Sequence, residues 1–145
     1  MAVFMVLTYC INAVPFDAVA ISSPSEIASL ESISPGQTKT VEITEQNGYA
    51  ALKFTPTTSG KYYFYSMGDM GPMVCLYDSN LSYLSDDDDG LGIGTNFKME
   101  YDMVAGSTYV YEMKFWDDSI GSFDVVLEKA SDAESLAIDQ GEAIT

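Results

Sequence analysis

The sequence predicts an all-β protein, an antiparallel β-sandwich or jelly roll of seven to eight strands. Three observations carry this prediction. Apolar residues recur at every second position in short runs, turn pairs and glycines separate those runs by about 8–12 residues, and no run keeps a helical period long enough to cover a parallel sheet. A chain of 145 residues holds one hydrophobic core comfortably. It carries 6 basic and 22 acidic residues and no histidine, for a formal charge of −16. Such a surface repels phosphate backbones and anionic headgroups, which argues against nucleic acid and acidic membranes as partners. With 47% hydrophobic and 12% aromatic residues, the acidity belongs to a folded surface rather than to a disordered tail.

Residues 1–20 carry no charge before Asp17 and are mainly apolar from Ala2 to Ile11. They read as a secretory signal with Ala18-Val19-Ala20 as its cleavage site, too short and interrupted to be a transmembrane segment. No Lys or Arg precedes the apolar run, so a truncated leader or a buried N-terminal strand is the alternative. A lipoprotein anchor at Cys10 is disfavoured by the large Tyr9 before it. Loss of the leader leaves Cys75 as the only cysteine, and its place inside the run Met73-Val74-Cys75-Leu76-Tyr77 predicts a free buried thiol.

Residues 21–37, rich in serine with two prolines, are expected to form a linker ending in a turn at Pro35-Gly36. The sandwich domain is expected over 38–130. Val41 and Ile43 alternate with Thr40, Glu42 and Thr44, which predicts a half-buried strand. Asn47-Gly48 is a turn signal, after which Leu52 and Phe54 resume the two-residue period. Residues 61–67 hold four consecutive aromatics and read as a central strand, aromatic on both faces. The apolar run through Tyr77 comes next, then a turn at Asp78-Ser79-Asn80 and the short apolar pair Leu81 and Leu84. Phe97, Met99 and Tyr101 mark one further strand, Tyr109 to Phe115 another, and Phe123, Val125 and Leu127 the last. The expected core is Val41, Leu52, Phe54, Phe64, Leu76, Phe97, Tyr109, Phe115, Phe123 and Val125, with the methionines as flexible filling. Residues 131–145 are expected to be a linker or the start of a following module of a larger chain; Ile138-Asp139-Gln140-Gly141-Glu142 echoes Ile33-Ser34-Pro35-Gly36-Gln37, 105 residues earlier.

The most distinctive local feature is the run Ser85-Asp86-Asp87-Asp88-Asp89-Gly90-Leu91-Gly92. Four adjacent carboxylates repel one another, and Ca²⁺, which takes six to eight oxygen ligands, would relieve that repulsion. Mg²⁺ fits less well because it retains water and demands stricter geometry. Candidate ligands are Asp88 and Asp89, with Asp78 and Asn96 from neighbouring turns. The competing reading is a solvated acidic loop whose carboxylates cap backbone N–H groups. Tyr62, Tyr65, Tyr83, Tyr101, Tyr111 and Trp116 exceed what one small core needs. Flat rings stack on sugars or on peptide prolines, and Trp116, Tyr83 and Tyr111 are the candidate ligand contacts; cross-strand aromatic pairing is the alternative. No catalytic apparatus is evident. Histidine is absent, no Gly-x-Ser-x-Gly elbow occurs, and no cleft is indicated for a carboxylate pair.

Taken in order, Leu52-Lys53-Phe54, Ser59-Gly60-Lys61-Tyr62-Tyr63-Phe64, Leu76-Tyr77-Asp78-Ser79-Asn80, Asp88-Asp89-Gly90, Asn96-Phe97 and Val104-Ala105-Gly106-Ser107-Thr108-Tyr109 resemble the bacterial pre-peptidase C-terminal domain family over most of the domain. The resemblance implies a β-sandwich with a non-catalytic accessory role in a secreted or cell-surface bacterial protein. Its partners would be polysaccharide or extracellular protein substrates; the alternative is a structural or maturation module with no ligand of its own. The chain departs from the family at Gly71-Pro72-Met73, where members carry an aspartate before the strand leading to Leu-Tyr-Asp. Asp69 stands as an offset replacement in the metal site that the resemblance implies.

Overall fold

The computed structural model describes residues 23–88, 96–115, 117 and 119–130. They form a short 3-10 helix, Pro24–Ser29, and nine strands: β1 (Glu31–Ser32), β2 (Thr38–Ile43), β3 (Ala50–Phe54), β4 (Gly60–Met67), β5 (Pro72–Tyr77), β6 (Tyr83–Asp87), β7 (Lys98–Met103), β8 (Tyr109–Phe115) and β9 (Gly121–Lys129). The strands make two sheets, one of five in the order β1-β3-β8-β5-β6 and one of four in the order β2-β9-β4-β7. Every pairing is antiparallel except β1 with β3. The expected β-sandwich is therefore the observed architecture.

Alternation decides which side chains meet between the sheets. On β4, Tyr62, Phe64 and Ser66 point inward and are buried, while Lys61, Tyr63 and Tyr65 point out. Val41 and Ile43 of β2, Met99 and Met103 of β7, and Phe123, Val125 and Leu127 of β9 complete that inner face. Leu52, Phe54, Val74, Leu76, Tyr109, Tyr111, Met113 and Phe115 face them from the other sheet. All ten expected core residues belong to this cluster. Phe64 sits at its centre, stacked on Tyr111 at 3.8 Å and on Phe97 at 5.6 Å between ring centroids. Phe115 meets Phe123 edge-on at 5.3 Å. Such pairs add about 0.5–1.5 kcal/mol each beyond the area they bury.

All seven residues of β8 are buried, because the five-stranded sheet is covered on its outer side too. A second cluster there joins Ile27 of the 3-10 helix to Tyr49, Cys75, Tyr77, Leu81 and Val110. This explains the described part of the expected linker, which is not one. Ile27 and Ile33 are buried, β1 pairs with β3, and the Ile33 N–H donates to the Lys53 carbonyl at 3.0 Å. Serine-rich composition masked a few apolar anchors that were enough to seat the segment. Cys75 is completely buried as expected, but it is disulfide-bonded and not a free thiol. The turn at Asn47-Gly48 is as expected. Asn47 takes φ 62°, and a Cβ on Gly48 would lie 2.7 Å from the Glu45 carbonyl oxygen. Residues 1–20 and 131–145, read as leader and following linker, lie outside the described residues.

Candidate functional site

The aspartate run is not a single loop. Asp86 and Asp87 belong to β6, the edge strand of the five-stranded sheet, and only Asp88 follows it as a bend. Asp87 Oδ2 accepts the backbone N–H of Lys98 at 2.9 Å, tying the edge of one sheet to the edge of the other. Asp86 Oδ2 accepts the Tyr83 hydroxyl at 2.8 Å. Asp89 lies outside the described residues.

The five expected calcium ligands do not share one place. Tyr77 pairs with Tyr83 and Val74 with Asp87, so Asp78 and Asp88 stand at opposite ends of the β5–β6 hairpin, about 16 Å apart at strand rise. A shell with metal–oxygen distances of about 2.3–2.6 Å cannot include both. Asp78 instead organises its own turn, with Oδ1 accepting the N–H groups of Asn80 at 2.8 Å and Ser82 at 2.9 Å. Asn96 is buried; its Oδ1 accepts the Ser66 hydroxyl at 3.0 Å and its Nδ2 donates to the Gly68 carbonyl at 3.1 Å. Ser66 Oγ in turn accepts the Phe97 N–H at 3.0 Å, so the Asn96 amide is committed to holding β4 beside the start of β7. Asp69 is exposed, one residue beyond Gly68 and so at the same end of the molecule as Asn96. Among the described residues, no group of three acidic, histidine or cysteine side chains is placed to hold a metal.

Of the expected aromatic contacts, Tyr111 is a core residue, 1% exposed and stacked on Phe64. Its hydroxyl is held above the usual tyrosine range by burial, then by the neighbouring Tyr109 and Tyr62. Tyr62 is buried as well, its hydroxyl donating to the Thr58 carbonyl at 2.6 Å. Tyr83 is exposed and packs edge-on to Tyr77 at 6.5 Å between centroids. Trp116 lies outside the described residues.

A different surface gathers aromatic and polar groups: the outer face of the four-stranded sheet. There β4 presents Lys61, Tyr63, Tyr65 and Met67, the first and last exposed and the two tyrosines half-buried. In register, Glu128 of β9 and Glu100 of β7 flank Tyr63, while Val126 and Lys98 flank Tyr65. The Lys98 ammonium lies over the Tyr63 ring, 4.7 Å from its centroid. The Tyr65 hydroxyl donates to Glu128 Oε2 at 3.1 Å, and burial followed by that hydrogen bond and the Glu128 charge raises its pKa. Thr40 Oγ1 donates to Asp124 Oδ1 at 2.7 Å on the same face. Along β4 and β7 the surface dips into a recess of about 410 Å³ lined by Lys61, Glu100, Tyr101 and Asp102. The sequence signal for this face was the position of Phe64: once it is buried, a period of two turns Tyr63 and Tyr65 outward together and Tyr62 inward.

No family model matches the chain, and no curated relative matches it. Among solved structures it is similar to the pre-peptidase C-terminal domain of a collagenase from Bacillus anthracis, with a TM-score of 0.56 and 12% identity, covering 68% of this chain and 93% of that one. It also matches a mitogen derived from Yersinia pseudotuberculosis (TM-score 0.47, 16% identity, 66% of this chain and 87% of that one) and a CBM35 module from Cellvibrio japonicus (TM-score 0.37, 13% identity, 68% and 86%). At these identities the first likeness speaks to the fold, and no helix among the described residues is long and apolar enough to cross a membrane.

Proposed function

We propose that the domain is a non-catalytic accessory module of a secreted or cell-surface bacterial protein, and that it holds a polymeric ligand against the outer face of its four-stranded sheet. One observation carries this reading: Tyr63 and Tyr65 stand two residues apart on the outer face of the sheet, positioned by Lys98 and Glu128. Rings fixed in this way lose little conformational entropy when a flat ligand stacks on them. An open sheet face suits an extended polymer better than a small molecule, which needs a concave site. The fold likeness to a pre-peptidase C-terminal domain and the absence of histidine from the chain agree with an accessory role.

The test is co-sedimentation of the whole chain with insoluble polysaccharides and with fibrous protein, beside an assay for soluble products. Retention without product release, lost when Tyr63→Ala and Tyr65→Ala are combined, is expected. Release of sugar or peptide by the purified chain would overturn the accessory reading.

Calcium remains a separate proposal, for Asp88 and Asp89 with Asp69, since Asp78 and Asn96 are engaged in hydrogen bonds of their own. Its support is the run of like charges alone. Calorimetric titration of metal-stripped protein tests it: binding predicts heat at millimolar calcium, and at 100 times Kd about 2.7 kcal/mol of added stability.

A further inference from the structure

Building on that reading, we propose that this outer face selects a positively charged amino-sugar polymer rather than a neutral or acidic one. The argument is charge complementarity joined to ring geometry. Strands lie about 4.8 Å apart, so Glu128 and Glu100 stand on either side of Tyr63 in a single row across the sheet, and the Glu128 carboxylate reaches the Tyr65 hydroxyl. Asp102 and Asp124 extend the acidic rim along the neighbouring strands, so that with Glu100 and Glu128 the carboxylates on this face outnumber Lys61 and Lys98, and the whole chain is at −16. An anionic glycan would be repelled, and a neutral one would leave the rim unused.

The ring itself is occupied by the kind of group the rim attracts. The Lys98 ammonium over Tyr63 is an internal cation on an aromatic face between acids. A glucosamine unit offers the same ammonium together with an apolar sugar face for Tyr65. It is also stiffer than a lysine side chain, so less entropy is lost on binding. Lys98 then acts as a built-in competitor, which yields an uncommon prediction: removing this cation should strengthen binding of a cationic ligand.

The experiment measures retention of the whole chain on chitosan beads, with chitin beads and polylysine-agarose in parallel. Chitosan is expected to retain the protein and chitin to retain it poorly, with release as salt rises from 50 to 500 mM, roughly the range over which exposed charges become screened. Combined Glu100→Gln and Glu128→Gln should weaken chitosan binding about 5- to 10-fold, in line with two exposed ion pairs. Lys98→Ala should strengthen it about 2- to 5-fold, as expected for displacement of an exposed cation–π contact. Lys39→Ala makes the same change in net charge away from this face and should leave binding unchanged. Equal retention on chitin and chitosan, insensitive to the glutamine variants, would overturn charge selection while leaving the aromatic platform standing. Retention on polylysine alone would overturn the amino-sugar assignment. Chitosan binding that survives Tyr63→Ala and Tyr65→Ala would trace it to bulk charge and overturn the site, and no retention on any support would overturn the platform too.

Discussion

Phe64 is completely buried between Tyr111 and Phe97, where no solvent can fill a void. Phe64→Ala should therefore cost about 3–5 kcal/mol of unfolding free energy, measured by urea denaturation. Leu81 shows a different balance. It takes φ 61°, a strained value for a branched side chain, yet it is 1% exposed within the outer cluster, and burial outweighs the strain. Asp78→Ala removes two turn hydrogen bonds and should lower stability by about 1 kcal/mol with or without calcium, which separates a turn residue from a metal ligand. Asp117 is held below the ordinary carboxylate value of 3.8 by the Ser119 hydroxyl at 2.6 Å, then by the Ser119 N–H. Its contribution to stability is present above about pH 3.8 and lost as pH falls through the lower folded value. An NMR titration should show Asp117 moving up toward 3.8 in Ser119→Ala.

At the scale of elements, the sequence was most legible where one face of a strand is wet. β2, β7 and β9 alternate clearly, and their inward residues are those the pattern selected. Legibility failed where both faces are covered: Tyr62 and Tyr111 read as surplus aromatics because alternation carries no signal when a four-aromatic run or a doubly buried strand leaves no polar side. It failed again at β1, whose two residues have no period to detect, and at β6, whose aspartates mimic a loop. The charge on β6 has a structural use, since an edge strand invites pairing with another chain and carboxylates discourage it. Asp86→Val and Asp86→Asn should both make the protein associate as concentration rises, visible by light scattering, Asp86→Val the more strongly. The calcium set scattered for a related reason, because sequence spacing does not reveal which end of a hairpin a residue occupies.

At the scale of the whole molecule, alkali is expected to destabilise the fold. Tyr77 and Tyr111 both lie above the ordinary tyrosine value of 10.0, first through burial, and for Tyr77 also through the charge of Glu112. Groups whose folded values are raised stabilise the protein below pH 10 and cease to do so as pH climbs toward those values. The part of the phenolate absorbance that comes from Tyr77 and Tyr111 should therefore appear only together with loss of the far-ultraviolet signal, above about pH 10. The strand order also constrains when the protein can be made. Among the described residues β9 is the last strand; it lies between β2 and β4 and is the sole sheet partner of β2. A growing chain that has not yet emitted residues 121–129 has no template for its first long strand, so closure of the four-stranded sheet waits for those residues. A chain ending at residue 119 should be degraded rapidly by protease, and resistance would show that the remaining strands close without it. Until then the inner faces of β2 and β4 stay uncovered, which leaves the nascent chain open to pairing with other chains.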